Sequence, residues 1–199
     1  MDETPAFDAR TALIVVDLQN DFADPLGSLA VEGGAAIVPR VTEVVRSAEA
    51  GGALVVATQD WHPASTPHFA KDGGIWPVHC VGDTWGAEIH PDLALPPGAL
   101  RIRKGVLGED GYSGFTTRDP ISGEETATGL EDILLERGIE RVVICGLATD
   151  YCVRATALDA RRMRFAVVVL TDAVRPVDLE AGDGERALRD LAAAGVTTS

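Results

Sequence analysis

The stretch Arg141-Val-Val-Ile-Cys-Gly-Leu147 is an apolar run rich in β-branched residues, and the polar segment Ala148-Thr-Asp-Tyr-Cys152 follows it at once. A continuous apolar run of this length is typical of a strand that is buried on both faces of a sheet. Asp150 belongs to the residue types that cap helix N-termini, so we expect a helix from about Asp150 to Met163. A strand followed directly by a helix is the repeating unit of a parallel α/β sheet.

Similar strand and helix patterns alternate along the rest of the chain. The other predicted strands are Leu13–Val16, Ala53–Thr58, Leu100–Arg103, Phe165–Leu170 and a short one at Val196–Thr198, and the other predicted helices lie around Ile37–Ala48, Leu130–Leu134 and Glu185–Ala194. Apolar strands separated by helices must be covered on both faces. The sequence therefore predicts an α/β fold with a doubly wound, mostly parallel sheet of about six strands and helices on both faces.

The chain is long enough for one domain, which we expect to span residues 1–199. The segment at about 59–99 does not follow the strand and helix rhythm and is rich in Pro, Gly, His and Trp. Irregular segments of this length in compact domains are usually functional. We therefore interpret this segment as a functional insertion.

The charge of the chain limits its partners. Its 31 acidic and 17 basic side chains give a formal net charge of −14. An acidic surface repels phosphate backbones and anionic lipids, so we expect neither a nucleic acid nor a membrane as partner. The acidic stretch Met1–Arg10 has no hydrophobic signal-peptide region, and three cysteines do not suggest a disulfide framework. These features predict a cytoplasmic protein.

Chemically active side chains follow four of the predicted strands. Asp17 follows the first strand, Asp60 and His62 follow the second, Lys104 follows the third, and Cys152 follows the strand quoted above. Ligands of open parallel sheets bind at the carboxyl ends of the strands. We therefore expect one crevice to gather these residues.

Cys152 is the candidate nucleophile, because the positive end of a helix dipole favours a thiolate. The alternative is a small buried apolar side chain, and we expect that role for Cys145 and a structural role for Cys80. Asp17 is either a general acid and base or the cap of a loop. Lys104 is either a solvated lysine or a cation that lowers the thiol pKa.

Histidines cluster in the irregular segment, since His62, His68 and His79 all lie there together with Asp60. Asp60 and His62 are two residues apart, so an extended backbone directs both side chains to the same side. Imidazole and carboxylate groups together suit a divalent transition metal. A loop held by hydrogen bonds is the alternative, and we assign His90 a structural role.

Tryptophans accompany this cluster in a chain with few aromatic residues. Trp61 and Trp76 flank the histidines, and Trp85 follows them. Such side chains either fill the core or form the walls of a site for a flat aromatic ligand.

Several motifs together resemble the nicotinamidases, a family of isochorismatase-like cysteine hydrolases. The motifs are Asp17-Leu-Gln-Asn-Asp-Phe22, Asp60-Trp-His-Pro63, Trp76-Pro-Val-His-Cys80, Gly86-Ala-Glu-Ile-His-Pro91, Lys104-Gly105 and Gly146-Leu-Ala-Thr-Asp-Tyr-Cys152. The resemblance extends from about Leu13 to Asp172. The second and third motifs are more specific to nicotinamidases than the others.

The resemblance implies a catalytic set. Cys152 would be the nucleophile, Asp17 the acid and base, and Lys104 the third member of the triad. The backbone N–H groups of Ala148 and Cys152 would form the oxyanion hole. The peptide bond between Leu147 and Ala148 would be the non-proline cis bond of the family.

The resemblance also implies a metal site and a substrate pocket. Asp60, His62 and His79 would hold a divalent metal, usually zinc and in some relatives iron or manganese. His68 lies at a position where some relatives supply a further ligand and others a serine. The implied pocket residues are Phe22, Trp76, Tyr112 and Leu147. The segment at about 59–99 would thus be a metal-binding insertion.

The implied activity is the hydrolysis of nicotinamide to nicotinate and ammonia through a cysteine thioester, a reaction of NAD salvage. In the family the metal binds the pyridine nitrogen of the substrate. Two alternatives stay open: another amidohydrolase of the superfamily that acts on a carbamoyl or ureido substrate, and a non-enzymatic domain that binds a pyridine or a metal on the same fold. The sequence also leaves a homodimer or a higher homo-oligomer open.

Overall fold

The computed structural model describes residues 5–199, so residues 1–4 of the predicted domain lie outside the described part. The strands are β1 Thr11–Val16, β2 Leu54–Asp60, β3 Leu100–Lys104, β4 Thr116–Arg118, β5 Glu125–Ala127, β6 Arg141–Leu147, β7 Ala166–Arg175 and β8 Thr197–Thr198. The α-helices are α1 Asn20–Ala23, α2 Gly34–Ala50, α3 Leu130–Glu136, α4 Arg154–Arg162 and α5 Asp183–Ala193. Short 3-10 turns cover Ala70–Asp72 and Trp85–Ala87, and a π-helical turn covers Thr149–Val153.

A parallel sheet of six strands, in the order β3-β2-β1-β6-β7-β8, forms the centre of the fold. The predicted doubly wound α/β sheet is thereby confirmed. The chain adds β2 and β3 on one side of β1, and then adds β7 and β8 on the far side of β6. The strand order reverses between β1 and β6, and parallel sheets open a crevice for ligands at the carboxyl ends beside such a reversal.

The two faces of the sheet have separate apolar layers, because successive side chains of a strand point to opposite faces. Leu13 and Val15 of β1 pack in the layer of α2. Ile14 and Val16 pack in the layer that contains the apolar residues of α3, α4 and α5. Helix α2 buries Ile37, Val41, Val45 and Ala48, which recur at the spacing of one helix face. No helix among the described residues is long and apolar enough to cross a membrane.

The segment at about 59–99 is irregular, as predicted, apart from the end of β2 and its two 3-10 turns. Buried polar side chains, together with scattered apolar contacts, hold it against the sheet. The Asp21 carboxylate accepts a hydrogen bond of 2.7 Å from the Cys80 N–H. The Asn20 amide donates one of 2.8 Å to the Trp85 carbonyl. Both partners come from α1, so α1 fixes the insertion beside the end of β1.

The prediction of Asp150 as a helix cap was wrong. Its carboxylate accepts hydrogen bonds of 2.9 Å from the N–H groups of Val177 and Asp178, and α4 is preceded by the π-helical turn. The segment after β7 presents two N–H groups to one carboxylate, and these bonds replace a local cap. Asp150 therefore ties that segment to the turn that carries Cys152.

The hairpin of β4 and β5 was not predicted. All three residues of β5 are exposed, so this strand has no apolar alternation in its sequence. Strand β7 also runs on to Arg175, beyond the predicted end at Leu170.

Candidate active site

The carboxyl ends of β1, β2, β3 and β6 bring together four residues that the sequence predicts for the site. Asp17 follows β1, Asp60 ends β2, Lys104 ends β3, and Cys152 lies in the π-helical turn after β6. All four side chains are buried. The topology therefore forms one crevice at the reversal of strand order.

Lys104 lies at the centre of this group. Its Nζ atom is 2.7 Å from Asp17 Oδ2 and 3.7 Å from Cys152 Sγ, and it also forms an ion pair with Asp60 Oδ1. The ammonium is 1% exposed, and a buried cation is tolerated only when it is paired and hydrogen-bonded. Lys104 thus pairs with two buried carboxylates beside the thiol.

The surroundings of these groups shift their pKa values in different directions. Burial disfavours the Lys104 ammonium, but the Asp17 and Asp60 carboxylates raise the pKa of Lys104 well above its ordinary value. Burial raises the pKa of Asp17, and the Asp60 charge adds to this effect while Lys104 opposes it. Burial also opposes ionisation of Asp60, yet Lys104 and the neighbouring imidazoles hold its pKa below the ordinary value.

The thiol of Cys152 differs from the sequence-based expectation of a thiolate. Burial raises the pKa of Cys152 well above its ordinary value, although the Lys104 cation lowers it. Burial and the Asp17 and Asp60 charges together outweigh the Lys104 cation, and a pKa shifted in this direction favours the protonated thiol at rest. Oxygen and sulfur atoms of Asp17, Asp60 and Cys152 lie within 4.8 Å of one another, so Asp17 is placed to take the thiol proton.

Thr58 fixes the Asp17 carboxylate. Its hydroxyl donates a hydrogen bond of 2.7 Å to Asp17 Oδ1, and the Asp17 N–H donates one of 3.2 Å back to the Thr58 oxygen. Asp17 has a φ of 44°, in the left-handed region that side chains other than glycine seldom adopt. The turn after β1 is thus held by a side chain of β2.

The peptide bond between Leu147 and Ala148 is cis, as the resemblance implies. The Ala148 carbonyl accepts hydrogen bonds of 3.1 Å from the N–H groups of Tyr151 and Val153. Ala148 and Cys152 both line the same cleft.

Three imidazoles form a second cluster next to this group. Ring nitrogens of His62, His68 and His79 lie within 4.8 Å of one another, and all three side chains are buried. Asp60 Oδ2 lies 3.7 Å from His62 Nε2 and 3.8 Å from His79 Nε2. The structure therefore brings His68 into the same cluster as the two histidines that the resemblance assigns as ligands.

The chemistry of these donors fits a divalent transition metal. Both ring nitrogens of His62 are buried, and neither has a hydrogen-bond partner among residues 5–199. The Nδ1 atom of His79 is 2.7 Å from the Pro77 carbonyl; Nδ1–H donates to it, which leaves the Nε2 lone pair free. Burial lowers the pKa of His68 to about 4 and also lowers that of His79, so both rings are neutral at pH 7. Neutral imidazoles with a carboxylate are typical ligands of zinc and related ions.

A mainly apolar cleft joins the two clusters. The predicted pocket residues Phe22, Trp76, Tyr112 and Leu147 all line it, as do Asp60, His68, His79 and Cys152. The Trp76 indole N–H donates a hydrogen bond of 3.1 Å to the Tyr112 oxygen, which fixes both rings.

Four further residues line the cleft and were not predicted from the sequence: Leu29, Val31, Tyr151 and Val177. Tyr151 packs edge-on against Trp76 and Tyr112, with ring centroids 5.0 and 5.2 Å apart. Its position next to Cys152 was a usable signal. The other three come from loops whose sequences show no motif.

The remaining cysteines have the structural surroundings that were expected. Cys145 is buried in β6, and burial raises its pKa to about 12. Cys80 is buried as well, and burial raises its pKa well above the ordinary value. Both therefore stay protonated at neutral pH, and neither lines the cleft.

Comparison with known proteins shows extensive similarity. Residues 11–199 match the model of the isochorismatase domain. The chain is 37% identical over 202 residues to the nicotinamidase of Escherichia coli K12, which covers 94% of this chain and 92% of that protein. A pyrazinamidase of Pyrococcus horikoshii, solved in complex with zinc, is 44% identical with a TM-score of 0.85 and covers 96% of this chain and 98% of its own. The PnC1 protein of L. infantum, solved in complex with nicotinate, is 36% identical with a TM-score of 0.86. The match covers 98% of this chain and 95% of that one.

Proposed function

This chain belongs to the isochorismatase family and is a nicotinamidase-like amidohydrolase, and from this we propose that it hydrolyses nicotinamide to nicotinate and ammonia in NAD salvage. One observation carries the proposal: a thiol with an adjacent carboxylate and lysine lines the same apolar cleft as the histidine cluster. A ring bound in this cleft has a nucleophile at one side and metal ligands at another.

The chemistry starts with proton transfer from Cys152 Sγ to the Asp17 carboxylate, which the Lys104 cation assists by stabilising the thiolate. The thiolate attacks the carboxamide carbon, and a C–S bond forms while the carbonyl π electrons move to oxygen. Ala148 and Cys152 would donate their backbone N–H groups to this oxyanion, and each such donor contributes about 3 kcal/mol. Asp17 then returns its proton to the leaving nitrogen as the C–N bond breaks.

The second half of the reaction regenerates the thiol. Asp17, now ionised again, accepts a proton from a water molecule that attacks the thioester carbonyl. The C–S bond breaks, the Cys152 sulfur takes up the proton that Asp17 holds, and the nicotinic acid so formed releases its acidic proton to solvent and leaves the cleft as nicotinate. The same carboxylate thus acts twice as base and twice as acid, roles that a general acid–base group beside the nucleophile can fill.

Asp60, His62, His68 and His79 would hold a divalent metal, for which zinc is our first assignment and iron or manganese the alternatives. The donor set supports this assignment, because two of the rings are kept neutral by burial and the described part of the chain offers the His62 nitrogens no hydrogen-bond partner. A bound metal would supply a Lewis-acid contact for the pyridine nitrogen. Trp76, Tyr112 and Phe22 would pack against the ring.

The test is to compare nicotinamide with benzamide, which replaces the ring nitrogen by carbon. We expect kcat/KM, measured by ammonia release from the zinc-loaded protein, to be far higher for nicotinamide, by as much as about 10⁴-fold, because a site built around a polar contact rejects an analogue that lacks it. His62→Ala should abolish most of this preference. Equal rates for the two amides would contradict the proposed role of the metal.

The alternatives give different results in the same assay. An amidohydrolase for carbamoyl or ureido compounds would release ammonia from those substrates, but not from nicotinamide, and would not need the histidine cluster. A non-enzymatic binding domain would bind nicotinamide without releasing ammonia. The buried group of Cys152, Asp17 and Lys104 supports an enzyme, because burying two carboxylates and an ammonium is costly without a function that uses them.

A further inference from the structure

Strand β2 extends beyond the end of its neighbour β1. The pairing of the two strands ends at Val15 and Ala57, whereas β2 continues to Asp60. The N–H and C=O groups of one strand residue point to the same edge. Trp61, the next residue, donates its N–H to the Lys104 carbonyl of β3, so the backbone groups of Asp60 point to the opposite edge, where β1 has already ended.

The side chain of Gln19 takes the place of the missing strand. Its Oε1 atom accepts a hydrogen bond of 2.8 Å from the Asp60 N–H, and its Nε2 atom donates one of 2.7 Å to the Asp60 carbonyl. The second Nε2 proton goes to the Ala87 carbonyl at 2.8 Å. The Gln19 side chain is completely buried, and these three bonds determine the orientation of its amide.

Asp60 contacts both clusters of the site. Its Oδ1 atom pairs with Lys104, and its Oδ2 atom faces the His62 and His79 rings. A rotation of the Asp60 backbone would displace both oxygens. We propose that Gln19 is a positioning residue that holds Asp60 in the orientation required by the metal and by Lys104. This inference rests on the proposed function, because the metal site is part of it.

Only glutamine suits this position among residues of its size. The Asp60 backbone requires an acceptor and a donor at the end of one side chain. Glutamate retains the acceptor but cannot donate when it is ionised, and methionine has a similar length but neither group. Replacing a residue that holds a metal ligand in place by hydrogen bonds typically weakens metal affinity by about 10- to 100-fold.

Gln59 provides a matched control. It is as deeply buried as Gln19 and also donates to the Ala87 carbonyl, at 3.0 Å, but its side chain makes no hydrogen bond to Asp60. Gln59→Met therefore removes a buried amide from the same region without touching the backbone of Asp60. A general loss of stability should weaken zinc binding in both variants. A loss of positioning should weaken it only in the Gln19 variant.

The experiment measures zinc affinity of the full chain by competition with a chromophoric chelator, after the metal has been removed by dialysis. The proteins are wild type, Gln19→Met, Gln19→Glu and Gln59→Met, and circular dichroism of the metal-free forms checks that each is folded. We expect the zinc dissociation constant to rise about 10- to 100-fold in both Gln19 variants, and to stay within about twofold of wild type in Gln59→Met.

Each other outcome has a clear meaning. Unchanged zinc affinity in a folded Gln19→Met protein overturns the positioning role and leaves the proposed function intact. A wild-type protein that takes up no zinc overturns the proposed metal site, and this inference with it. If both Gln19 variants are unfolded while Gln59→Met folds, or if Gln59→Met loses as much affinity, Gln19 has a structural role only and the inference is overturned.

Discussion

The three thiols are all buried, but only Cys152 lies beside a lysine and a carboxylate. We expect Cys152→Ala to lower kcat for nicotinamide more than about 100-fold, because covalent catalysis is lost with the nucleophile. Cys145→Ala is the control: it should cost about 1 kcal/mol of stability and leave kcat near wild type. Ammonia release and thermal unfolding of both variants check this. A Cys152→Ala protein above a hundredth of wild-type activity would refute the assignment of the nucleophile.

Asp17 should set the acidic limit of the activity. It must be ionised to accept the thiol proton, and burial raises its pKa above the ordinary value of 3.8. Activity is therefore retained above this raised pKa and falls as the pH drops through it. The measurement is kcat/KM against pH, with zinc content determined at each point, because protonation of the imidazoles would also release metal. A flat profile down to pH 4 in zinc-loaded protein would exclude Asp17 as the base.

Some residues of the site can be predicted from the sequence and others cannot. Asp17, Lys104 and Cys152 each follow an apolar strand, and parallel topology brings such positions to one edge. The role of Gln19 depends on where β1 ends relative to β2, and no local pattern encodes that register. The protonated state of Cys152 depends on how deeply the fold buries it, which residue spacing does not show.

The turn after β3 lies against the histidine cluster and leaves no room for a side chain at Gly105. Gly105 has a φ of 79°, and a Cβ atom placed there would lie 2.5 Å from His62 Nδ1. We expect Gly105→Ala to push the His62 ring out of the cluster and to weaken zinc binding at least 10-fold, as the loss of a ligand or its support does. Chelator competition measures this.

Gly108 in the same turn is the matched control. It also has a positive φ, of 92°, but the nearest atom to an added Cβ is 3.8 Å away. Gly108→Ala should cost about 1–2 kcal/mol for the left-handed conformation and leave zinc affinity unchanged. Equal losses of zinc affinity in the two variants would show that backbone strain in the turn, rather than the contact with His62, is responsible.

Secondary structure could be predicted from the sequence wherever burial imposed a pattern. Strands β1, β2 and β6 are buried almost throughout, and their apolar runs follow from that. Strand β5 is exposed and carries no such pattern. Asp150 is of a residue type that commonly caps helices, but its actual hydrogen-bond partners, Val177 and Asp178, are distant in sequence. Contacts of this kind appear only once the chain has folded.

At the scale of the whole molecule, metal binding should increase thermal stability. Zinc that binds the folded state alone stabilises it by about 2.7 kcal/mol at a hundred times its dissociation constant. For a chain of this size that corresponds to a rise in Tm of about 5–10 °C. Scanning calorimetry of chelated and zinc-loaded protein measures the shift. His62→Ala should lose most of it, and an equal shift in that variant would place the binding elsewhere.

The three tryptophans lie in three environments. Trp76 is 5% exposed in the wall of the cleft, Trp61 packs against the Arg103 guanidinium at 3.6 Å, and Trp85 is 49% exposed. The protein thereby carries an optical probe of its own. Nicotinate that enters the cleft should quench the fluorescence of Trp76 alone, whereas acrylamide in the solvent should quench mainly Trp85. A Trp76→Phe protein should lose the response to nicotinate and keep the response to acrylamide, so product release could be followed in real time without a label.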